Sequence, residues 1–352
     1  MRNPPRSVRL EATPACQLRC PTCPTATGDT RPVLGGGYLR ADAFRRFIAD
    51  NPEVRRVELS NFGEMFLNPE LLEIMAAADQ QGVALTADNG VNLNRASEEV
   101  LEGLVTHRFR SLNCSIDGAS SETYAMYRRG GDFDAVVANV RAIVAHKVKR
   151  SSPYPRLRWQ FVVFGHNEHE ITEARSLADE LGMTFFLKLS WDDSLSPVQN
   201  VEGIRREVGL DAASREEHEQ RHGMDYMREA CHQLWTSPQI NWDGKLLGCC
   251  ENYWGDFGGN AFEDGLRESL EHEKLRDARE MLLGRRAAVD GVPCTTCAHY
   301  RAMRRRRNWL TMREIRLHQR LGRLSFHLRQ PRLLAFRAAS KWKRWIGQWP
   351  SR

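Results

Sequence analysis

Between residue 8 and about residue 190, short β-type runs alternate with helical patterns, and this alternation limits the fold more than any other feature. Strand patterns cover residues 7–11, 54–60, 83–89, 112–117, 157–163 and 185–189. Helical patterns fall between them at 41–49, 69–80, 97–106, 134–145 and 168–181. Strands joined by crossover helices pair in parallel, so the fold class is α/β. Six such repeats predict a partial (β/α)6 barrel resembling part of a TIM barrel, with functional groups at the C-terminal ends of the strands. Residues 1–195 are assigned to this barrel and 196–230 to a polar helical bridge, solvated and helical in its charged run SREEHEQRHGMDYMREAC. Residues 231–300 form a cysteine-bearing module, and 301–352 a basic helical extension.

Directly after the first strand pattern comes ATPACQLRCPTCP, where Cys16, Cys20 and Cys23 form a C-x3-C-x2-C run. The chain has nine cysteines in 352 residues, and its N-terminus lacks the apolar core of a signal peptide. Such cysteines are better read as metal ligands or reactive thiols than as disulfides. A zinc site wants four ligands at paired C-x2-C spacing and leaves the x3 gap unexplained. Three thiolates on one tight loop suit three irons of a cubane iron–sulfur cluster and leave the fourth iron open to a substrate or cosubstrate.

On these residues the chain resembles the radical S-adenosylmethionine (SAM) superfamily, whose members carry this loop after the first strand of a partial barrel. The resemblance runs over about residues 7–190. NFGEMFLNPEL is similar to the family's glycine–glutamate motif: Gly63 would allow close backbone approach, and Glu64 would accept hydrogen bonds from the methionyl ammonium of SAM. TADNG at 86–90, with Asn89, is similar to the third-strand motif, and CSIDGASSETYAMYRRGG to the fourth-strand segment. There Ser115 and Asp117 alternate with Cys114 and Ile116, so the polar pair shares one face and is expected to line the site. FVVFGHNEHEI resembles the fifth-strand region, where Asn167 is read as a helix cap. Many family members place an aromatic residue before the third cysteine, near adenine; this chain has Thr22, so no adenine contact is assigned there.

The resemblance implies a [4Fe–4S] cluster on Cys16, Cys20 and Cys23, SAM as cosubstrate, and a flavodoxin- or ferredoxin-type electron donor. It implies homolysis of the C5′–S bond of SAM and removal of a substrate hydrogen atom by the 5′-deoxyadenosyl radical. The protein's share is to position the substrate carbon and exclude water.

A second set, Cys231, Cys249, Cys294 and Cys297, is spaced C-x17-C-x44-C-x2-C. INWDGKLLGC reads as strand, Asp-Gly turn and strand, a hairpin presenting Cys249 opposite Cys231. The knuckle at Cys294 follows a helix predicted over 266–283. Four thiolates suit zinc or a fully ligated iron–sulfur cluster, and the residues alone leave both open. The spacing, with G-x4-C from Gly244 to Cys249, resembles the SPASM-type module called Twitch. That resemblance implies an auxiliary [4Fe–4S] cluster and two clusters in total.

Cys114 and Cys250 remain. Cys114, on a strand, is read as a small core residue. Cys250 directly follows Cys249 and points away from it. It is packing, or the true ligand with Cys249 spare, or a hydrogen-atom donor. In the last role its S–H bond, weaker than an alkyl C–H, returns hydrogen to the opposite face of a carbon radical and inverts that carbon.

The first function weighed is therefore an epimerase acting on a sugar or polyol carbon, resembling enzymes of aminoglycoside and other carbohydrate pathways, with a small-molecule or glycan substrate. The second is a dehydrogenase oxidising a secondary alcohol of a sugar or aminocyclitol, with the auxiliary cluster as electron acceptor; it leaves Cys250 without a task. The third is a peptide-modifying maturase. Such enzymes usually carry an N-terminal recognition domain, for which a barrel starting by residue 8 is expected to leave no room. A pure electron carrier needs no ammonium site, which speaks against sensing or electron transfer alone.

The net charge of +6 hides an asymmetry. Residues 301–352 hold sixteen Arg and Lys against Glu314 alone, so they carry +15 and the first 300 residues carry −9. Leu317, Leu321, Leu324 and Leu328 recur at helical spacing until Pro331 breaks the pattern. The tail packs as helices on the acidic body, or Trp342, Trp345 and Trp349 among Lys341, Lys343 and Arg344 anchor it to an anionic membrane surface. No nucleic-acid reader motif accompanies the charge. No apolar run reaches bilayer-spanning length, so a cytoplasmic location is expected, with peripheral membrane contact through the tail.

Overall fold

The structure, a computed structural model, describes residues 5–321 apart from Asp193 and Leu210. Among these residues eight strands form one sheet: β1 (Ser7–Leu10), β2 (Arg56–Glu58), β3 (Ala84–Val91), β4 (Ser111–Ser115), β5 (Arg156–Val163), β6 (Thr184–Leu189), β7 (Gln239–Ile240) and β8 (Leu246–Gly248). Their order is β6-β5-β4-β3-β2-β1-β7-β8, and β1 to β6 each pair in parallel with their neighbour in the chain. This is the parallel order of a partial (β/α)6 barrel that the alternation predicts. The crossover helices Ala41–Asp50, Leu71–Gln80, Glu98–Thr106, Phe133–Lys149 and Ile171–Glu180 lie within a few residues of the predicted ones.

Strand alternation sorts the side chains. Val8, Leu10, Leu112, Cys114, Leu157 and Trp159 are buried on one face, where Cys114 is the core residue expected. The other face is polar, and register keeps its members together. Arg9 lies opposite Glu58 and Gln239, Asn113 opposite Arg158, Ser115 opposite Gln160, and Val162 opposite Lys188. A polar inner face leading to the C-terminal ends of the strands is where such a barrel keeps its chemistry.

Several expectations are corrected. The β7–β8 hairpin extends the barrel sheet, an unforeseen pairing: β7 pairs in parallel with β1, through Arg9 N to Pro238 O at 3.0 Å and Glu11 N to Ile240 O at 2.9 Å. It covers an edge of β1 that would otherwise be unpaired. Met1–Trp309 form one compact unit, and Leu310 onward belongs to a second. The helix predicted over 266–283 is two, Leu266–Leu270 and Glu273–Leu282, because His272 is extended (φ −57°, ψ 142°). The buried Arg279 guanidinium donates to Leu270 O at 2.8 Å, satisfying a carbonyl that the break leaves free, and to Leu234 O at 2.7 Å.

The bridge is only partly solvated. Its helix Val201–Val208 packs against β6 and buries Ile204 and Val208. The charged run is helical over Arg215–His222, stopped by left-handed Gly223 (φ 64°). In the second unit a helix spans Met312–Leu321, started by Thr311 and Glu314, each side chain accepting the other's backbone N–H. Leu324, Leu328, Pro331 and the three tryptophans with their basic neighbours lie outside the described residues. No helix among the described residues is long and apolar enough to cross a membrane.

Candidate active site

The loop after β1 brings the first three cysteines together. Cys20 is buried with Leu18 against Tyr127, Val162 and Phe164, and Cys16 and Cys23 pack on the same patch. Cys23 N donates to Cys20 O at 3.1 Å, closing the turn, and Arg19 N donates to Arg129 O at 2.8 Å, tying the loop to the segment after β4. Burial pushes the Cys16 thiol up to about 12, with Glu64, Cys20 and Cys23 adding to the rise. Burial raises Cys20 as well, and the Arg128 guanidinium opposes it. Thiols that raise one another in an apolar pocket are poised to lose their protons together to a multiply charged cationic group. This donor set fits an iron–sulfur cluster.

Gly63 and Glu64 lie flat against that loop. A Cβ on Gly63 would stand 1.9 Å from Thr13 O and 2.7 Å from Ala15 O. Glu64 N donates to Ala15 O at 2.8 Å. The Glu64 carboxylate is buried and accepts from Asn92 N at 2.6 Å and Phe66 N at 3.3 Å, which leaves acceptor capacity for a cation. Beneath it, Glu11 accepts from Phe62 N at 3.1 Å and Gly63 N at 3.0 Å. Burial lifts Glu11 and Glu64 each to about 7.

The other predicted residues sit deeper in the barrel. The Asn89 amide donates to Asn61 Oδ1 at 3.0 Å, and the Ser115 hydroxyl accepts from Gln160 at 3.3 Å. Asp117 is fully buried, with Oδ2 taken by Arg128 Nε at 2.6 Å and Oδ1 by Val162 N at 2.7 Å. It therefore holds Arg128 toward Cys20. Asn167 makes no side-chain helix cap, contrary to expectation. Its Oδ1 accepts from Phe164 N at 2.8 Å and its amide donates to Val162 O at 2.9 Å and Asp117 O at 3.2 Å, stapling the ends of β4 and β5.

The second cysteine set lines one pocket, where Cys231, Cys249, Cys294 and Cys297 stand with apolar residues including Leu234, Trp254 and Phe257. Burial first, then neighbouring thiols, raises Cys231, Cys249 and Cys294. No three His, Cys, Asp or Glu among the described residues are grouped to hold a single metal ion. Four thiols around one pocket have the donor chemistry of a zinc site or of a fully ligated iron–sulfur cluster.

Cys250 is not among the residues lining that cavity. Its Sγ accepts from Gln233 Nε2 at 3.3 Å, and its backbone N–H donates to Gln233 Oε1 at 2.8 Å. Its carbonyl accepts from Asn61 Nδ2 at 3.3 Å, and Arg9 donates to Asn61 Oδ1, also at 3.3 Å. Burial raises the thiol, while Arg9 and Lys188 pull against it. Next to it Glu251 and Asp225 flank His299, with Nδ1 2.8 Å from Asp225 and Nε2 3.6 Å from Glu251. Burial alone would lower His299, but these carboxylates outweigh it and push the imidazole up to about 10.

No family model matches the chain. Over 185 residues it is 30% identical to the AdoMet-dependent heme synthase of Methanosarcina barkeri, covering 52% of this chain and 49% of that one. The chain thus spans about half the length of this relative. SuiB of Streptococcus suis bound to S-adenosylmethionine superposes with a TM-score of 0.59 at 14% identity, over 85% of this chain and 72% of SuiB. Native anSMEcpe with bound AdoMet gives 0.56 at 13% identity, over 84% and 87%. The chain has the fold of the radical SAM superfamily.

Within this radical SAM fold, residues that the sequence analysis did not single out bear on the site. Glu11 shares the polar face of β1 with Arg9, and period-2 alternation carried one step further finds it. Arg128 stands in the quoted fourth-strand segment, but its ion pair with Asp117 depends on tertiary packing. Trp191 donates to Thr22 O at 3.1 Å, bringing an aromatic ring to the cluster loop from after β6. Gln233 grips Cys250 from 17 residues away, and no local signal marks it.

Proposed function

We propose that this chain is a radical SAM enzyme that inverts a carbon of a sugar or polyol, with Cys250 as the hydrogen-atom donor. Cys16, Cys20 and Cys23 would hold the SAM-binding [4Fe–4S] cluster, and Cys231, Cys249, Cys294 and Cys297 an auxiliary one. Loaded with its cluster and SAM, the first site supplies a 5′-deoxyadenosyl radical that removes one hydrogen atom from the substrate. Glu64 pairs with the methionyl ammonium, and Gly63, held by Glu11, lets that segment lie against the cysteine loop.

The observation that carries the reading is the divergence of two adjacent cysteines. Cys249 lines the four-cysteine cavity, while Cys250 is held by Gln233 among Asn61, Arg9 and Lys188 on the polar face of the barrel. In the reaction the Cys250 S–H bond breaks, a C–H bond forms on the face opposite the abstraction, and a thiyl radical stays on Cys250. One electron from a reduced flavodoxin- or ferredoxin-type carrier and one proton from solvent restore the thiol.

Cys250→Ala tests this directly. The variant should still cleave SAM to 5′-deoxyadenosine and form no epimer. Wild-type enzyme in deuterated water should place one deuterium at the inverted carbon. Undiminished epimer from the variant overturns the donor role, and a carbonyl product free of deuterium makes the enzyme a dehydrogenase.

A further inference from the structure

The cations of the barrel's polar face divide into two kinds. Arg128 is ion-paired with Asp117, and Arg158 with Asp88. Arg9 and Lys188 have no carboxylate within ion-pairing distance among the described residues. Arg9 donates only to neutral acceptors: Gln239 Oε1 at 3.0 Å, Asn61 Oδ1 at 3.3 Å and Ser60 O at 3.4 Å. The Lys188 ammonium makes no hydrogen bond with a described residue. It stands on β6, at one end of the sheet, and Arg9 stands on β1, between β2 and β7. Both are within electrostatic reach of Cys250.

An ammonium drawn out of water without a counter-charge is costly, and Arg and Lys are seldom enclosed unless paired. Burial and the nearby Arg215 pull the Lys188 pKa down and outweigh the attraction of Glu251 and Asp117, neither of which comes within ion-pairing distance; Glu251 faces His299 and Asp117 is paired with Arg128. The carboxyls near Arg9 do not fill the gap. Glu11 is committed to the Phe62 and Gly63 amides, and Glu58 to Ser60, Thr86 and the Asp88 amide.

We propose that Arg9 and Lys188 form an oxyanion subsite that holds a phosphate or carboxylate of the substrate and sets its reacting carbon beside Cys250. The substrate is then an acidic carbohydrate derivative and not a neutral sugar. This assignment rests on the carbohydrate reading above and narrows it. Arg9 presents a planar fork suited to two oxygens of such a group, and Lys188 a point charge.

The test uses the anaerobically reconstituted holoenzyme and requires no turnover. Lys188 is acetylated with an N-hydroxysuccinimide ester at neutral pH, and its modification is followed by mass spectrometry. Inorganic phosphate, glucuronate, glucose or SAM is added at ionic strength matched with potassium chloride. Saturable protection by phosphate identifies a phosphorylated substrate, and protection by glucuronate a carboxylated one; glucose should give none. Arg9→Gln should raise the half-protecting concentration about tenfold, the loss of one charged hydrogen-bonding partner. In calorimetric titration with the same anions, Lys188→Arg should retain binding and Lys188→Met should lose it. The subsite is overturned if neither anion protects beyond chloride, or if SAM alone protects fully, since Lys188 then holds the methionine carboxylate. Protection should persist in Cys250→Ala, so failure of the donor role and failure of the anion site are read separately.

Discussion

Gly63→Ala isolates what the glycine–glutamate segment contributes. Gly63 does not occupy the left-handed region, so alanine there meets no backbone objection and the whole effect is steric. The new Cβ would lie 1.9 Å from Thr13 O, where ordinary contact begins at 3.4 Å, so the two backbones must part by about 1.5 Å. Neither gives easily. Thr13 is fixed by its hydroxyl to Gly37 O at 2.7 Å, and the preceding carbonyl, Ala12 O, accepts from Leu39 N at 2.9 Å and Asn68 Nδ2 at 3.0 Å. The parting breaks Glu64 N to Ala15 O and strips Glu11 of its Gly63 partner. Overpacking costs about 2 kcal/mol and each lost hydrogen bond about 1 kcal/mol, so about 4 kcal/mol in all. Glu64 moves with the segment, and a displacement of roughly 1 Å in a positioning group costs on the order of 100-fold in rate. Urea unfolding of the apoprotein and 5′-deoxyadenosine formation by the dithionite-reduced, iron-loaded variant measure the two effects. A variant with wild-type unfolding midpoint and SAM cleavage within about twofold of wild type would refute the close-approach argument.

Other perturbations read other parts of the site. Glu11 and Glu64 are lifted from 4.5 to about 7, so between those values the native apoprotein holds more protons than the unfolded chain. Their contribution to stability is complete below pH 4.5 and lost as pH rises through 7, up to roughly 3 kcal/mol for each. Urea titrations from pH 5 to 8 should show this decline, and Glu11→Gln should flatten part of it; identical profiles for the two proteins would dismiss the assignment. Arg128→Lys loses the Nε bond to buried Asp117 and should destabilise the fold by about 3 kcal/mol while lowering iron retention at Cys20; normal stability with normal iron counts against the pair's role. Reconstituted protein should hold about eight irons per chain, and Cys297→Ser about four with SAM cleavage kept. One zinc per chain in place of the second set of irons rejects the auxiliary cluster.

The strands β1 to β6 were legible because β-type runs recur at regular spacing between helical patterns, even where, as in β2, only three residues pair. The β7–β8 hairpin was legible from its Asp-Gly turn, but the pairing of β7 with β1, some 230 positions earlier in the chain, was not, since two residues carry no period to place it. The break at Glu271–His272 was hidden for another reason: no Pro or Gly marks it, and Arg279, from the following helix, caps the carbonyl it exposes. The cysteine spacings marked both thiol sets, but the charged groups around them came from distant strands. Arg9 and Lys188 stand on β1 and β6, separated by four strands of the sheet, and both come within electrostatic reach of Cys250.

The divergence of Cys249 and Cys250 shows most clearly what spacing does not contain. Both follow Gly248, whose backbone is left-handed (φ 81°) and passes so near Phe257 that a Cβ would lie 2.3 Å from the ring. A residue with a side chain would be strained there and would collide, so the glycine permits the turn that ends β8. Gln233 then takes hold of Cys250 by both its backbone N–H and its sulfur. Replacing Gln233 by Leu should leave the four-cysteine cavity and its iron intact and release Cys250 from the barrel face. If Cys250 is the hydrogen donor, epimer formation falls while 5′-deoxyadenosine formation continues, a split that a merely structural glutamine would not produce.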